Sequence, residues 1–308
     1  MYTSIAVPLD GSAFGRRALP AALALARRSD AAVHLVHVHE PVVYSGSASM
    51  HETRLDSELR REMRTDLSAL AEQLTRETSL PVKAEFLDGP VVPTLQRYLA
   101  GRSHDLVVMM THGRGGLSRA WLGSVADGLL RGTPVPLLLV RSGAEWPGDL
   151  LEPLFRRVLI PLDGSAMAEE VLDIVLSLGT PDVTVYTLLT VVVPPPLLAQ
   201  SYPGSEPFTL ASDVEPRVAE ELAYLNRTAE ELRESGALVE TRVVVHQRPA
   251  ACILEYAEQQ DIDLIALSAH GRGALSRFFL GSVADKVVRG AAVPVLVRRP
   301  AHDPDQLG

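Results

Sequence analysis

Apolar residues fall into short unbroken runs separated by segments of helical period. Residues 4–9 (SIAVPL) form such a run, with β-branched members, and predict a buried strand. Asp10-Gly11-Ser12 then turns the chain into an Ala-, Leu- and Arg-rich helix at about 13–28. Residues 32–38 predict a second strand and 40–51 a loop. Over 52–78, Leu55, Leu59, Met63, Leu67, Leu70 and Leu74 recur at spacings of three and four, one face of an amphipathic helix. A third strand follows at 82–87, and Pro90 and Pro93 open a short helix reaching about Ala100. Residues 106–110 predict a fourth strand, 124–131 a helix after a glycine-rich loop, and 135–140 a last strand.

Strands that alternate with helices imply a parallel sheet with helices on both faces and right-handed crossovers. The order expected is 3-2-1-4-5. Ligands of such sheets bind beyond the carboxyl ends of the strands, where the strand order reverses. The Asp10 turn and the glycine loop follow the first and fourth strands, which are neighbours in that order, so both face one crevice.

The pattern then repeats. Val7-Pro8-Leu9-Asp10-Gly11-Ser12 recurs as Ile160-Pro161-Leu162-Asp163-Gly164-Ser165, and His112-Gly113-Arg114-Gly115 as His270-Gly271-Arg272-Gly273. Residues 112–141 and 270–299 share 19 identities in 30 positions, far beyond chance. The offset grows from 153 to 158 between the two motifs, which places a net insertion in the Pro-rich segment Pro194–Pro207. Strands are expected near 157–162, 183–191, 239–245, 263–268 and 293–298. The fold class is therefore α/β, two tandem doubly wound parallel five-stranded sheets. Domain boundaries are expected at 1–142 and 155–300, with 143–154 as linker, since that stretch holds Gly143, Pro147, Gly148 and Pro153.

Composition narrows the function. The 308 residues are 46% hydrophobic and 22% charged, with a net charge of −9. Indiscriminate binding to nucleic acid or to an anionic membrane is not expected at that charge. No run approaches ~18 apolar residues, so no bilayer span is expected. Cys252 is the single cysteine, which fits a reducing cytoplasm, and its apolar neighbours assign it to packing.

The candidate chemistry lies in the glycine loops. The first reads Met110-Thr111-His112-Gly113-Arg114-Gly115-Gly116 and ends at Gly123-Ser124 before a helix; the second runs from Ser268 to Gly281-Ser282. Glycine allows close backbone approach, and free amides at a helix start favour an anion. The loop is no Walker A sequence, because neither lysine, Lys83 or Lys286, lies in it. Nor is it a dinucleotide fingerprint, since it follows the fourth strand instead of the first. His112 and His270 are expected to fix the loop by hydrogen bonding. His37 and His39 share one strand face, but the second copy has Thr190 and Val192 there, so no metal site is expected.

Both halves resemble the universal stress protein family in its tandem, two-domain form, over Ser4 to Arg299. The nucleotide-binding members of that family carry Gly, two residues, Gly, nine residues, then Gly-Ser or Gly-Thr. Gly113 with Gly123-Ser124, and Gly271 with Gly281-Ser282, match the latter part of that pattern. The resemblance implies an adenine nucleotide alpha hydrolase-like fold binding ATP, with Mg2+ as a candidate companion. It implies adenine and ribose against Asp10 and Val38, or Asp163 and Val191, at the strand ends Pro8-Leu9 and Pro161-Leu162. It places the phosphates on Gly113, Gly123, Ser124 and Val125, or on Gly271, Gly281, Ser282 and Val283. Arg114 and Arg272 are candidate phosphate contacts. The family's first glycine is replaced by Met110 in one copy and Ser268 in the other, and the smaller serine makes the second site the better one.

The resemblance implies a non-catalytic, ATP-binding stress-response module. Two alternatives stand beside it: an interaction scaffold with empty sites, and a slow ATPase using Asp10 or Asp163 as ligands of a metal-water. The last strands are apolar edges that need cover. In the family they pair across a dimer; here the halves can pair within one chain, with homodimerisation as a further option.

Overall fold

The structure is a computed structural model describing residues 2–41, 50–111, 122–142, 146, 152–194, 210–269 and 280–299, without the side chains of 50–53 and 210–213. The first half runs β1 (Ser4–Pro8), a 3-10 turn (Gly15–Ala18), α1 (Leu19–Ser29), β2 (Ala32–His39), α2 (Met50–Thr78), β3 (Val82–Asp88), α3 (Val91–Ala100), β4 (Leu106–Met110), α4 (Ser124–Gly132) and β5 (Leu137–Val140). The second half runs β6 (Arg157–Pro161), α5 (Ala166–Glu169), α6 (Leu172–Leu176), β7 (Val185–Val192), α7 (Leu210–Glu234), β8 (Leu238–Val245), α8 (Pro249–Gln259), β9 (Leu264–Ser268), α9 (Ser282–Gly290) and β10 (Val295–Arg298).

The strand order is β3-β2-β1-β4-β5-β10-β9-β6-β7-β8. Within each half this is the order 3-2-1-4-5, with every pair parallel. The one antiparallel pair is β5 with β10, Leu137, Leu138 and Leu139 facing Val297, Leu296 and Val295. The two five-stranded halves are therefore joined at their last strands into one ten-stranded sheet. Backbone groups at two apolar edges are satisfied by each other.

Side chains alternate across the sheet. Ile5, Val7, Leu106, Val108 and Met110 join an apolar layer with α1 and the end of α2. Ala6, Val107 and Met109 join the opposite layer with α3 and α4. The second copy divides in the same way, with α6 and α7 on one face and α8 and α9 on the other. Continuous apolar strands buried on both faces are what a doubly wound parallel sheet requires. Cys252, on α8, is buried, and burial raises its thiol pKa, with the Glu255 charge adding.

Two local expectations are corrected. The apolar stripe of α2 packs only at its C-terminal end: Leu67, Ala71 and Leu74 are buried, whereas Leu55 is 52% and Leu59 49% exposed. A helix of this length is about 43 Å long, against about 23 Å for the strand beside it, so its first turns run past the sheet. The helix after the first motif also differs between copies. In the first it is Ala-rich and continuous, ending at Asp30 in the left-handed conformation. In the second it breaks into α5 and α6 around Glu170 and Val171, where the β-branched Val171, Ile174 and Val175 weaken helix preference.

Candidate functional site

The carboxyl ends of β6, β7 and β9 open on a cavity of about 350 Å³. Each wall follows from local sequence. Leu162 leaves β6 with its N–H donated to Leu189 O on β7 at 2.9 Å, which carries the chain straight into Asp163. Gly164 takes φ +78°, a left-handed conformation that strains any side-chain-bearing residue. The turn folds back so that Asp163 Oδ1 accepts from Ser165 N at 3.1 Å and Ser165 Oγ at 2.6 Å. Ser165 Oγ in turn accepts from Ala168 N at 3.2 Å and caps α5. The carboxylate is thus oriented by its own turn at the cavity wall. The first copy repeats the device: Gly11 has φ +78°, and Asp10 Oδ1 accepts from Ser12 N at 3.0 Å and Ser12 Oγ at 2.6 Å.

A second wall is the start of α9. Gly281 N donates to Ala269 O at 2.8 Å, pinning the helix N-terminus to the end of β9. Gly281 is the N-cap and has no side chain to bond the first-turn amides. Among the described residues no side chain caps these N–H groups, and the helix dipole there favours an anionic acceptor. Gly123 holds the same role before α4, its N–H bonded to Thr111 O at 2.8 Å.

Pro161, Leu162, Asp163, Val191, Ser268, Gly281, Ser282 and Val283 all line this one cavity. Gly113, Arg114, Gly271, Arg272, His112 and His270 lie outside the described residues. In the first copy Pro8, Leu9 and Asp10 lie at the end of β1, Val38 near the end of β2, Met110 at the end of β4, and Gly123, Ser124 and Val125 at the start of α4. Ser268 turns its hydroxyl onto Met167 O at 2.6 Å, while Met110 is buried in the apolar layer under α1.

The cavity also contains residues that motif reading passed over: Ala168, Thr190, Arg217, Glu221 and Ile253. Arg217 and Glu221 project from α7, a helix with no motif. A comparison of α2 with α7 in the repeat would have marked them. Thr190 Oγ1 donates to Leu162 O at 3.0 Å, and His37 Nδ1 in the first copy meets Leu9 O at 2.8 Å. The same carbonyl is thus held by a small group in one copy and by an imidazole in the other. The His37 ring lies 5.3 Å from the Phe86 ring, and His39 Nε2 contacts Asp56 Oδ1 at 3.1 Å, so each histidine has its own partner.

Comparison with known proteins adds a family. The model of the "Universal stress protein family" matches residues 1–141 and 154–299. A universal stress protein of Mycobacterium tuberculosis is 29% identical over 232 residues, covering 74% of this chain and 72% of the relative. One from Mycolicibacterium smegmatis is 28% identical over 304 residues, covering 96% and 97%. Among solved structures, a universal stress protein from Archaeoglobus fulgidus aligns with a TM-score of 0.64 at 19% identity, covering 96% of both chains, and shows the shared fold. With the matched family model spanning both halves of the sheet, the chain belongs to the universal stress protein family.

Proposed function

We propose that this chain binds an adenine nucleotide, ATP in the first instance, in the crevice of its second copy, and acts as a stress-response regulatory module without catalytic turnover. One observation carries the reading: an oriented carboxylate, Asp163, and a helix start without a side-chain cap, Gly281-Ser282, form two walls of a single cavity of about 350 Å³. A nucleoside suits the first wall and phosphate the second. Ligand that binds only the folded state adds stability, and occupancy biases whichever conformation or partner it favours. Gly271 and Arg272 complete the phosphate cradle in this reading, with Mg2+ entering alongside the nucleotide. The unit acts in the cytoplasm, built of domains 1–142 and 155–300 joined by 143–154.

The first copy is read as the weaker site. Its crevice presents the His37 imidazole where the second has Thr190, and Met110 where the second has Ser268. If both sites prove empty, the fold is a scaffold; turnover lost in Asp163→Ala would make it a slow ATPase.

The test is calorimetric titration of nucleotide-stripped protein with Mg-ATP, beside Gly281→Trp and Gly123→Trp. Gly281 has φ −54° and Gly123 φ −61°, so tryptophan meets no backbone strain at either position. Saturable binding lost in Gly281→Trp and kept in Gly123→Trp supports the reading. Absence of heat and of thermal shift in the wild type sinks it.

A further inference from the structure

Arg217 marks a difference between two otherwise matched crevices. The buried stripe Leu67, Ala71, Leu74 of α2 corresponds to Leu225, Ala229, Leu232 of α7, each 158 positions on. That match sets Leu59 and Met63 opposite Arg217 and Glu221. The second copy thus has a guanidinium and a carboxylate on the helix overlooking the crevice, where the first has two apolar side chains.

Position and charge say which end of a ligand Arg217 meets. Arg217 Nη1 donates to Val193 O at 3.1 Å, tying the guanidinium to the chain as it leaves β7. Gly281 is tied to the chain as it leaves β9. Strand β6 lies between β9 and β7, so the two points are two strand spacings apart, about 10 Å, comparable with the length of a nucleoside. The carboxylates of Asp163 and Glu221 stand on the β6 and α7 side of the cavity, and the uncapped amides of α9 stand on the other. Phosphate is repelled by the first wall and drawn to the second. The uncharged end of a nucleotide is therefore turned toward α7. A guanidinium is planar, delocalised and weakly hydrated, which lets it lie flat on an aromatic ring at an exposed cavity mouth.

We propose that Arg217 is a base-contacting residue that covers the nucleobase in the second-copy crevice and favours a base-bearing ligand over a bare polyphosphate. The first copy, with Leu59 at this position, has no such contact. The proposal rests on the nucleotide reading above.

The test compares ATP and inorganic tripolyphosphate on the full chain in wild type, Arg217→Ala and Arg217→Lys. Arg217→Ala is expected to weaken ATP binding about fivefold to tenfold while tripolyphosphate changes by less than about twofold. Arg217→Lys keeps the charge but not the plane, and is expected to stay close to Arg217→Ala. Arg217 is exposed, so both variants should melt within ~2 °C of wild type. Unchanged ATP affinity in Arg217→Ala overturns the proposal alone, as does an equal loss for both ligands or full rescue by lysine. Absence of ATP binding in the wild type overturns the nucleotide reading and this proposal with it.

Discussion

Arg289 Nη2 donates to Asp127 Oδ1 at 2.9 Å, joining α9 to α4 between residues 162 apart in sequence. Each partner also belongs to a pair within its own helix, Arg131 with Asp127 at 2.8 Å and Arg289 with Asp285 at 2.9 Å. The four residues are two copies of one Asp–Arg pair, brought together where β5 meets β10.

The Asp127 carboxyl is held below its ordinary pKa, chiefly by the hydrogen bond from Arg131, against opposing desolvation and with the Arg289 charge adding. Its folded pKa is depressed, so the stabilisation is present above the ordinary carboxylate range and lost as pH falls through the folded value. The groups are about a third exposed, so solvent screening keeps the contribution small. Arg289→Ala is expected to cost about 0.5–1 kcal/mol at low salt. The loss should shrink when chemical denaturation is repeated at ~1 M salt. A loss independent of salt would contradict an ionic contribution.

Two helix glycines separate close packing from helix preference. A Cβ on Gly128 would lie 2.6 Å and 2.8 Å from the two methyls of Val92, a stiff β-branched neighbour. On Gly290 the nearest atom is Leu254 Cδ1 at 2.6 Å, the end of a longer side chain with room to turn. Gly128→Ala is expected to destabilise by about 1–2 kcal/mol despite better helix preference, and Gly290→Ala to stay within ~0.5 kcal/mol of wild type. Equal effects in urea melts would show that α3 and α4 can separate freely.

His104 predicts a pH response. Its Nδ1 contacts Ser4 Oγ at 2.8 Å, its ring lies 5.0 Å from that of His34, and its Nε2 has no hydrogen-bond partner among the described residues. Burial pushes its pKa down to about 4, with the His34 and Arg102 charges adding and Asp105 and Glu85 opposing. The unfolded value is about 6.5, so the unfolded chain binds the proton first. Stability is complete above that value and falls as pH drops from about 6.5 to about 4. The melting temperature should decrease by several degrees between about pH 7 and about pH 5. His104→Asn should melt lower at neutral pH yet show a shallower decline; parallel slopes would remove His104 as the source.

Filling the second crevice in the manner of the first tests their difference. Thr190→His places an imidazole where the hydroxyl now bonds Leu162 O. Under the nucleotide reading this should weaken ATP about tenfold, alongside a lower melting temperature from the larger ring at a buried position. Unaltered affinity would show that the imidazole of His37 is no obstacle in the first copy either.

Much of this molecule is legible in its sequence because the signals are local and appear twice. Unbroken apolar runs such as 106–110 can be buried only in a sheet covered on both faces, and each returns in the second copy. Asp163-Gly164-Ser165 makes its turn from its own atoms, and Gly281-Ser282 exposes amides wherever a helix begins with glycine. These features, the family and the strand order follow from neighbours in the chain. Tertiary structure decided what depends on distant partners. It joined β5 to β10 in one sheet, because two apolar edges satisfy each other's backbone. It buried the end of the α2 stripe and exposed Leu55 and Leu59, because the sheet is shorter than the helix. It brought Arg217 and Glu221, on a helix without a motif, to the cavity that Gly281 lines, because a crossover carries α7 back across the strand ends.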